Sequence, residues 1–210
     1  MSSPDDSEEA ARRHRAKMEK RKAVQDAEVA GKAVARKGLL MVHTGAGKGK
    51  STAAFGLALR ALGHGWKVGV VQFGKGAWRT GERAMLENLA ADSGLVSWHT
   101  LGEGFTWETQ DRARDEAAAR RAWEKAKKLM ADPEARLLVL DELNIALRYE
   151  HLPLDEVLTV LDGRRDDLNI VVTGRNAKPE LIAIADLVTE MTMVKHHFSA
   201  GVKAQEGIEF

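Results

Sequence analysis

The chain contains no cysteine. This absence excludes a disulfide framework, a thiolate nucleophile and a thiolate metal site, and it leaves oxygen-ligated Mg²⁺ as a metal that the chain could hold. Net charge is also nearly absent, because 32 basic residues face 31 acidic ones, for a formal net charge of +1. No bulk electrostatic field therefore favours nucleic acid or a membrane surface as a partner.

Long apolar runs are missing as well. No stretch approaches the roughly 20 apolar residues that a membrane span needs, and the first residues, rich in Asp, Glu and Arg, lack the apolar centre of a signal peptide. We therefore expect a cytoplasmic protein. With 210 residues and 44% hydrophobic content, the chain has enough apolar material for one sizeable core. One domain with a tail is predicted.

Residues 1–37 differ in composition from the rest and are predicted to form a charged N-terminal tail before a domain at residues 38–210. Alanines and long charged side chains favour a helix in the middle of the tail, although Met18 and Val24 supply little apolar stripe. A solvated, partly flexible helix is one interpretation. A segment that orders over a bound anionic ligand or a partner subunit is another. Interspersed acidic residues and a lack of aromatics weigh against a nucleic-acid arm.

From Leu39 onward, apolar runs of strand length alternate with helical patterns, which predicts an α/β fold with a mostly parallel central sheet flanked by helices. The predicted strands are Leu39 to His43, Lys67 to Phe73, Leu95 to Leu101, Arg136 to Leu140, Asn169 to Thr173 and a weaker pattern at Leu187 to Met191. The predicted helices are Ser51 to Leu62, Gly81 to Ala91, Thr109 to Ala131, Leu154 to Leu161 and Pro179 to Asp186. Ligands are expected beyond the carboxyl ends of the strands.

The loop after the first strand nearly matches a phosphate-binding loop. In order it contains Thr44, Gly45, Ala46, Gly47, Lys48, Gly49, Lys50, Ser51 and Thr52. The consensus G-x-x-x-x-G-K-[ST] is met by Gly49, Lys50 and Ser51, whereas Thr44 stands where the first glycine belongs. The glycines let backbone N–H groups approach an anion, while Lys50 would neutralise phosphate charge and Ser51 would ligate Mg²⁺. A glycine-rich turn with a capping serine is the alternative.

Three further strand ends carry candidate residues. The fourth strand leads into Asp141 and Glu142, in the form of a Walker B element whose carboxylates bind Mg²⁺ directly or through water; an N-cap pair is the alternative. The second strand precedes a basic loop with Lys75 and Trp78, which we interpret as a ligand contact, with packing of the Trp as the alternative. The fifth strand precedes Arg175, which is either a phosphate-binding guanidinium or an ordinary exposed arginine.

Phe105 and Trp107 lie two residues apart in the loop after the third strand, beside Gly102 and Gly104. Aromatic rings in a loop at the functional edge of a sheet often form a wall for a flat ligand. The spacing alone leaves ordinary packing of both rings as an open alternative.

Taken together, these motifs resemble the ATP:corrinoid adenosyltransferases of the CobA/BtuR/CobO type. The resemblance spans residues 38–210 nearly without gaps and the tail more loosely. It rests on the loop from Thr44 to Thr52, on Val70 to Phe73 with Lys75, Gly76 and Trp78, on Phe105 to Gln110, on Asp141 to Leu143, and on the stretch from Val194 through Gly201 to Gly207. Two positions depart from the family pattern, since Ala46 stands where asparagine is common and Ser51 where threonine is common.

The resemblance implies a P-loop fold of the RecA-like kind, usually a homodimer, that transfers the 5′-deoxyadenosyl group of ATP to the cobalt of a reduced corrinoid and releases triphosphate. It implies that Lys50 and the neighbouring amides hold phosphates, and that Ser51 and Glu142 ligate Mg²⁺. Phe105 and Trp107 would face the corrin and exclude its lower axial ligand, and the N-terminal tail would fold over the active site. A substitution at the first glycine is usual in the family.

Two other functions stay open from the residues. An ordinary P-loop ATPase or kinase that breaks the β,γ bond would use Asp141 and Glu142 equally well, although it explains neither Thr44 nor the aromatic pair. A non-catalytic nucleotide or corrinoid carrier would release no triphosphate. Complete cobalamin and an earlier cobyrinic acid derivative are both open as the corrinoid, and the family suggests a flavoprotein reductase as the electron donor.

Overall fold

The computed structural model describes residues 4–32, 37–74, 80–102 and 111–209. Contacts divide the chain into two compact units, Met1–Arg36 and Lys37–Phe210. None of the helices within the described ranges combines the length and the apolar character that a membrane span requires.

Helix α1, Pro4–Ala30, lies in the first unit. It is rich in alanine and in long charged side chains, which lose little rotamer freedom in a helix. Ion pairs join Arg13 to Glu9 and Lys22 to Asp26 at a spacing of four residues, and pairs at this spacing support a helix that has no apolar stripe. The charged residues of the tail thus form one continuous helix, longer than the middle segment that composition favours.

The second unit is built on a six-stranded sheet in which each strand is parallel to its neighbours. The strands are β1 Leu40–Thr44, β2 Lys67–Gln72, β3 Val96–Thr100, β4 Ala135–Asp141, β5 Asn169–Thr173 and β6 Leu187–Glu190. Their spatial order is β3-β2-β4-β5-β1-β6, so that β5 separates β1 from β4. The predicted α/β class with a parallel central sheet is confirmed.

Helices cover both faces of the sheet. They are α2 Lys50–Gly63, α3 Gly81–Leu89, α4 Arg112–Met130, α5 Leu143–Arg148, α6 Leu154–Asp162 and α7 Pro179–Ile184, with a 3₁₀ helix at His197–Ala200. Apolar residues of α2 and α3 belong to one core cluster, and those of α4 to α7 belong to another. The sheet therefore separates two apolar layers.

Alternate residues of the central strands face these two layers. In β4, Leu137 and Val139 pack in the layer of α2, whereas Leu138 and Leu140 pack in the layer of α4. Because side chains alternate across a strand, a strand with helices on both sides needs apolar residues at successive positions. The apolar run of β4 ends only at Asp141, the last residue of the strand.

Two short helices are missing from the predictions, and two predicted helices end two residues too late. Helix α3 ends at Leu89 rather than at Ala91. The sequence predicts neither α5 nor the 3₁₀ helix, because six and four residues are too few to show a helical period. Helix α7 ends at Ile184 rather than at Asp186, since Ala185 is already extended. The Asp186 carboxylate instead accepts a 2.8 Å hydrogen bond from Leu40 N, so Asp186 fixes the start of β1.

Leu138 is completely buried in β4, and we expect Leu138→Ala to lower the free energy of unfolding by about 2–5 kcal/mol. The truncation removes buried apolar contacts and leaves a cavity between the sheet and α4. Urea unfolding followed by circular dichroism measures the loss. Leu59→Ala is the matched control, because Leu59 is 53% exposed on α2 and its truncation should change stability by less than about 0.5 kcal/mol. Equal losses would contradict the assignment of Leu138 to the core.

Candidate active site

The connections after β1, β2, β4 and β5 meet at the carboxyl edge of the sheet, because all strands run in the same direction. The glycine loop lies between β1 and α2, in the strand, turn and helix setting that a phosphate-binding loop requires. Glu142 follows β4, and Arg175 lies two residues beyond β5. This edge is where an open α/β sheet binds its ligands.

The backbone of the glycine loop takes a shape that side chains would obstruct. Gly45 and Gly49 have φ angles of 96° and 101°, which residues with a Cβ rarely adopt. A Cβ on Gly45 would lie 2.4 Å from the carbonyl oxygen of Met191, and one on Gly47 would lie 2.7 Å from the same atom. Gly47 N in turn donates a hydrogen bond to Met191 O. The residue after β6 therefore supports the loop from outside.

Thr44, at the position of the missing first glycine, is buried as the last residue of β1. It is not among the positive-φ residues of the described chain, so its place requires no glycine. Its hydroxyl accepts a 3.0 Å hydrogen bond from Ala177 N, in the connection between β5 and α7. The threonine thus ties the phosphate loop to the segment that carries Arg175, which gives the departure from the consensus a structural reason.

Lys50 begins α2 and is only 8% exposed. Its ammonium donates hydrogen bonds to the carbonyl oxygens of Gly45, at 2.9 Å, and of Gly47. The side chain therefore folds back against the loop, and its charge lies among the backbone groups that would surround an anion.

The charge environment of Lys50 shows which predicted residues come together. Burial lowers the pKa of Lys50 from its ordinary value; the positive charge of Arg175 lowers it further, as does that of Lys48, while the Glu142 carboxylate acts in the opposite direction. Three cations and one carboxylate are thus within electrostatic reach of one another. A bound polyanion would relieve the repulsion among the cations, so this cluster is suited to hold phosphates.

Glu142 has a constrained backbone. Its φ and ψ angles of 64° and 21° are left-handed, at the position that precedes α5. Its N–H donates a 3.0 Å hydrogen bond to the Thr173 hydroxyl. A Cβ on Gly174 would lie 3.1 Å from Glu142 Oε2, and one on Gly74 would lie 3.4 Å from Glu142 Cβ. Gly174 leaves room for this carboxylate, whereas a Cβ on Gly74 would make only ordinary contact with Glu142. Such unusual backbone is typical of functional positions.

The last residues of four neighbouring strands are polar, namely Thr100, Gln72, Asp141 and Thr173. In register, Gln72 lies opposite both Thr100 and Asp141. Two donors hold the Asp141 carboxylate: Gln72 Nε2 at 2.9 Å from Oδ2 and Thr173 Oγ1 at 2.8 Å from Oδ1. Gln72 Oε1 accepts in turn from Thr100 Oγ1 at 2.8 Å and from Trp98 Nε1 at 3.1 Å. These residues form a polar row under the site.

The oxygen donors at this edge fit Mg²⁺. Ser51 lies in the first turn of α2, and Glu142 is only partly buried. Over the described ranges, no group of three or more His, Asp or Glu residues could hold a metal by itself. Mg²⁺ usually keeps several waters and binds through one or two protein oxygens together with substrate phosphates. A hydroxyl and a carboxylate beside a phosphate loop match that preference.

Four predicted site residues, Lys75, Trp78, Phe105 and Trp107, lie outside the described residues. Sequence analysis in turn assigns no role to Gln72, Thr100 or Thr173. A signal exists for Gln72 and Thr173, because each is the polar last residue of an otherwise largely apolar strand at the ligand-binding edge. Thr100 ends a strand of mixed polarity and gives no such signal.

Thr173 supplies one hydroxyl that both donates to Asp141 and accepts from Glu142 N. We expect Thr173→Val to lower the free energy of unfolding by about 1–3 kcal/mol, because it leaves a buried carboxylate oxygen and an amide without this partner. Thr173→Ser, which keeps the hydroxyl, should lose less than about 1 kcal/mol. Chemical unfolding of the two variants makes the comparison. A serine variant as unstable as the valine variant would show that the hydroxyl is not the cause.

Two family profiles match most of the chain. The family profile described as ATP:corrinoid adenosyltransferase BtuR/CobO/CobP matches residues 36–210, and the profile described as Cob(I)alamin adenosyltransferase N terminal matches residues 2–29. The solved structure of flagellar accessory protein FlaH from Methanocaldococcus jannaschii has a TM-score of 0.49 and 15% identity, covering 73% of this chain and 71% of that chain.

Curated relatives are similar over nearly the whole chain. A corrinoid adenosyltransferase of Pseudomonas aeruginosa is 55% identical over 205 residues, which cover 98% of this chain and 99% of that protein. Corrinoid adenosyltransferase CobA of Salmonella typhimurium is 46% identical over 198 residues, which cover 94% and 98%. These matches confirm the resemblance and the prediction of an ATP-dependent transferase. The chain belongs to the family of ATP:corrinoid adenosyltransferases.

Proposed function

We propose that the chain transfers the 5′-deoxyadenosyl group of Mg-ATP to the cobalt(I) of a reduced corrinoid, forming adenosylcobalamin or an adenosylated precursor and releasing triphosphate. The observation that carries the proposal is the glycine loop, against which the buried Lys50 folds back and on which the charges of Lys48 and Arg175 act, in a chain of this family. The family supplies the reaction class, and the loop supplies a place for the polyphosphate.

The reaction needs orientation and charge rather than a protein base. Cobalt(I) is the nucleophile: its electron pair forms the bond to the ATP C5′ carbon, and the bond from C5′ to the triphosphate oxygen breaks. That oxygen keeps the electron pair, so negative charge develops on the leaving triphosphate. Lys50, together with Lys48 and Arg175, is positioned to stabilise this charge. The loop amides add dipoles directed at the same anion.

Bound Mg²⁺ would neutralise phosphate charge during this departure. Within the proposal, Ser51 and Glu142 hold it, and Thr173 keeps Glu142 in place through the hydrogen bond to its N–H. Asp141 helps to position Glu142 indirectly. Its carboxylate accepts hydrogen bonds from Gln72 and Thr173, and the same Thr173 hydroxyl accepts the N–H of Glu142.

Further parts of the proposal rest on the family resemblance. As the resemblance implies, Phe105 and Trp107 would face the corrin and exclude its lower axial ligand, which would make cobalt(II) easier to reduce, while Lys75 and Trp78 would contact the substrates. In this proposal the enzyme works as a homodimer in the cytoplasm, and a flavoprotein reductase supplies the electron. Cobalamin and a cobyrinic acid derivative both remain candidate corrinoids.

Product identification tests the reaction. With ATP and chemically prepared cobalt(I) corrinoid, we expect a light-sensitive cobalt–carbon bond and triphosphate, measured by absorbance and by anion-exchange chromatography. ADP with orthophosphate would instead indicate ordinary cleavage of the β,γ bond, and an absence of turnover would indicate a carrier.

Lys50→Ala should reduce turnover at least about a hundredfold, because it removes a cation from the developing charge of triphosphate. The matched control is Lys128→Ala, which removes an exposed lysine of α4 and should leave the rate unchanged. Unaltered turnover in Lys50→Ala, with the fold verified by circular dichroism, would contradict the phosphate role.

Phe105→Ala and Trp107→Ala should mainly slow the reaction that begins from cobalt(II), and much less the one that begins from cobalt(I). The reason is that exclusion of the axial ligand assists the reduction and not the attack on C5′. Paired rate measurements from the two starting states test this difference. Equal losses in both would refute the ligand-exclusion role.

A further inference from the structure

A carboxylate of the same chain binds a lysine of the phosphate loop. Lys48 Nζ forms an ion pair with Glu209 Oε2, and His197 Nε2 lies 3.5 Å from Glu209 Oε1. The side chain of Glu209 is 13% exposed, whereas that of Lys48 is 56% exposed. The side chain of Glu209 is therefore mostly buried against the protein, whereas that of Lys48 stays accessible to solvent.

The chain after β6 brings Glu209 to this position. Met191 N donates to Thr44 O, so the first residue beyond β6 already lies along the loop. The 3₁₀ helix at His197–Ala200 ends at Gly201, whose φ of 82° turns the chain. Further along this segment, Glu209 N donates a 2.9 Å hydrogen bond to Gln205 O. Local hydrogen bonds thus order the segment that presents the carboxylate.

The electrostatics favour an ionised Glu209. Its hydrogen bond with Lys48 lowers the pKa of its carboxyl from the ordinary value, with smaller contributions from the charges of Lys48, His197 and His196. Lys48 also acts on Lys50, whose pKa its charge lowers. Glu209 therefore neutralises one of the cations that a polyphosphate would otherwise attract.

We propose that Glu209 is a positioning residue for Lys48 that competes with the polyphosphate: it holds the lysine when the loop contains no phosphate, and the triphosphate group displaces it. Glu209 thereby weakens the binding of ATP and, in the same measure, of the triphosphate product, whose departure it accelerates. This inference rests on the proposed phosphate role of the loop.

The expected effect is small and measurable. Ion pairs between exposed or partly exposed side chains contribute little, which corresponds to a change of about two- to fivefold in a dissociation constant. Because Lys48 is more than half exposed, an effect much above tenfold would exceed what this contact explains.

Glu209→Gln removes the charge and keeps the size of the side chain. With inorganic triphosphate and Mg²⁺ as the probe, and no corrinoid present, calorimetry should give a dissociation constant about two- to fivefold lower than in the wild type. Glu206→Gln is the matched control, because it removes an exposed carboxylate of the same segment, and it should bind like the wild type. Unchanged or weaker binding by Glu209→Gln, or the same gain in the control, would overturn the proposal.

A double-mutant cycle tests whether Glu209 acts through Lys48. In a Lys48→Gln background, Glu209→Gln should have no further effect on triphosphate binding; a gain as large as in the wild-type background would refute the assigned partner. In turnover, Glu209→Gln should lower the KM for ATP and the inhibition constant of triphosphate together. If the wild type binds triphosphate but forms no adenosylated corrinoid, the proposed function alone is wrong. If turnover is normal but Glu209→Gln does not change triphosphate binding, this inference alone is wrong.

Discussion

The carboxylate of Asp141 has no solvent exposure. The arrangement of the residues around it depends on the hydrogen bonds that this carboxylate accepts. A buried carboxylate is costly unless hydrogen bonds replace its water. Gln72 and Thr173 provide them from the strands on either side. Because these donors are the last residues of β2 and β5, satisfying Asp141 also aligns the carboxyl ends of three strands. The phosphate loop and Glu142 are built on that aligned edge.

Two adjacent acidic residues, Asp141 and Glu142, lie at this edge, and their side chains have different surroundings. The Asp141 carboxylate is buried and binds residues of the two neighbouring strands. Glu142 has a left-handed backbone, and its carboxylate acts electrostatically on Lys50. A regular helical or extended conformation at Glu142 would direct its side chain elsewhere. Gly174 provides the space, since a Cβ there would lie 3.1 Å from Glu142 Oε2. Two acidic residues in succession thus have different surroundings, since only Glu142 has a left-handed backbone.

The sequence predicts the layers of this fold well, because both-sided burial leaves continuous apolar runs such as that of β4, and the glycine loop has a recognisable spacing. It predicts less of what depends on distant neighbours. The role of Thr44 requires knowing that Ala177 N lies beside it, and that of Gln72 requires the strand order. The contact between Lys48 and Glu209 joins residues 161 positions apart, which no local pattern encodes. Helix α5 has only six residues, too few for a helical period to show in the sequence.

Strand β6 is the exposed edge of the sheet, and every one of its residues is solvent-accessible. Yet the residue that follows it supports Gly45 and Gly47 through Met191. Edge elements with few buried contacts open locally before the core does. The backbone shape of the glycine loop is therefore supported by a residue next to one of the most exposed strands of the sheet. We therefore expect activity to be lost on heating before the core unfolds, because opening of this edge would release the loop.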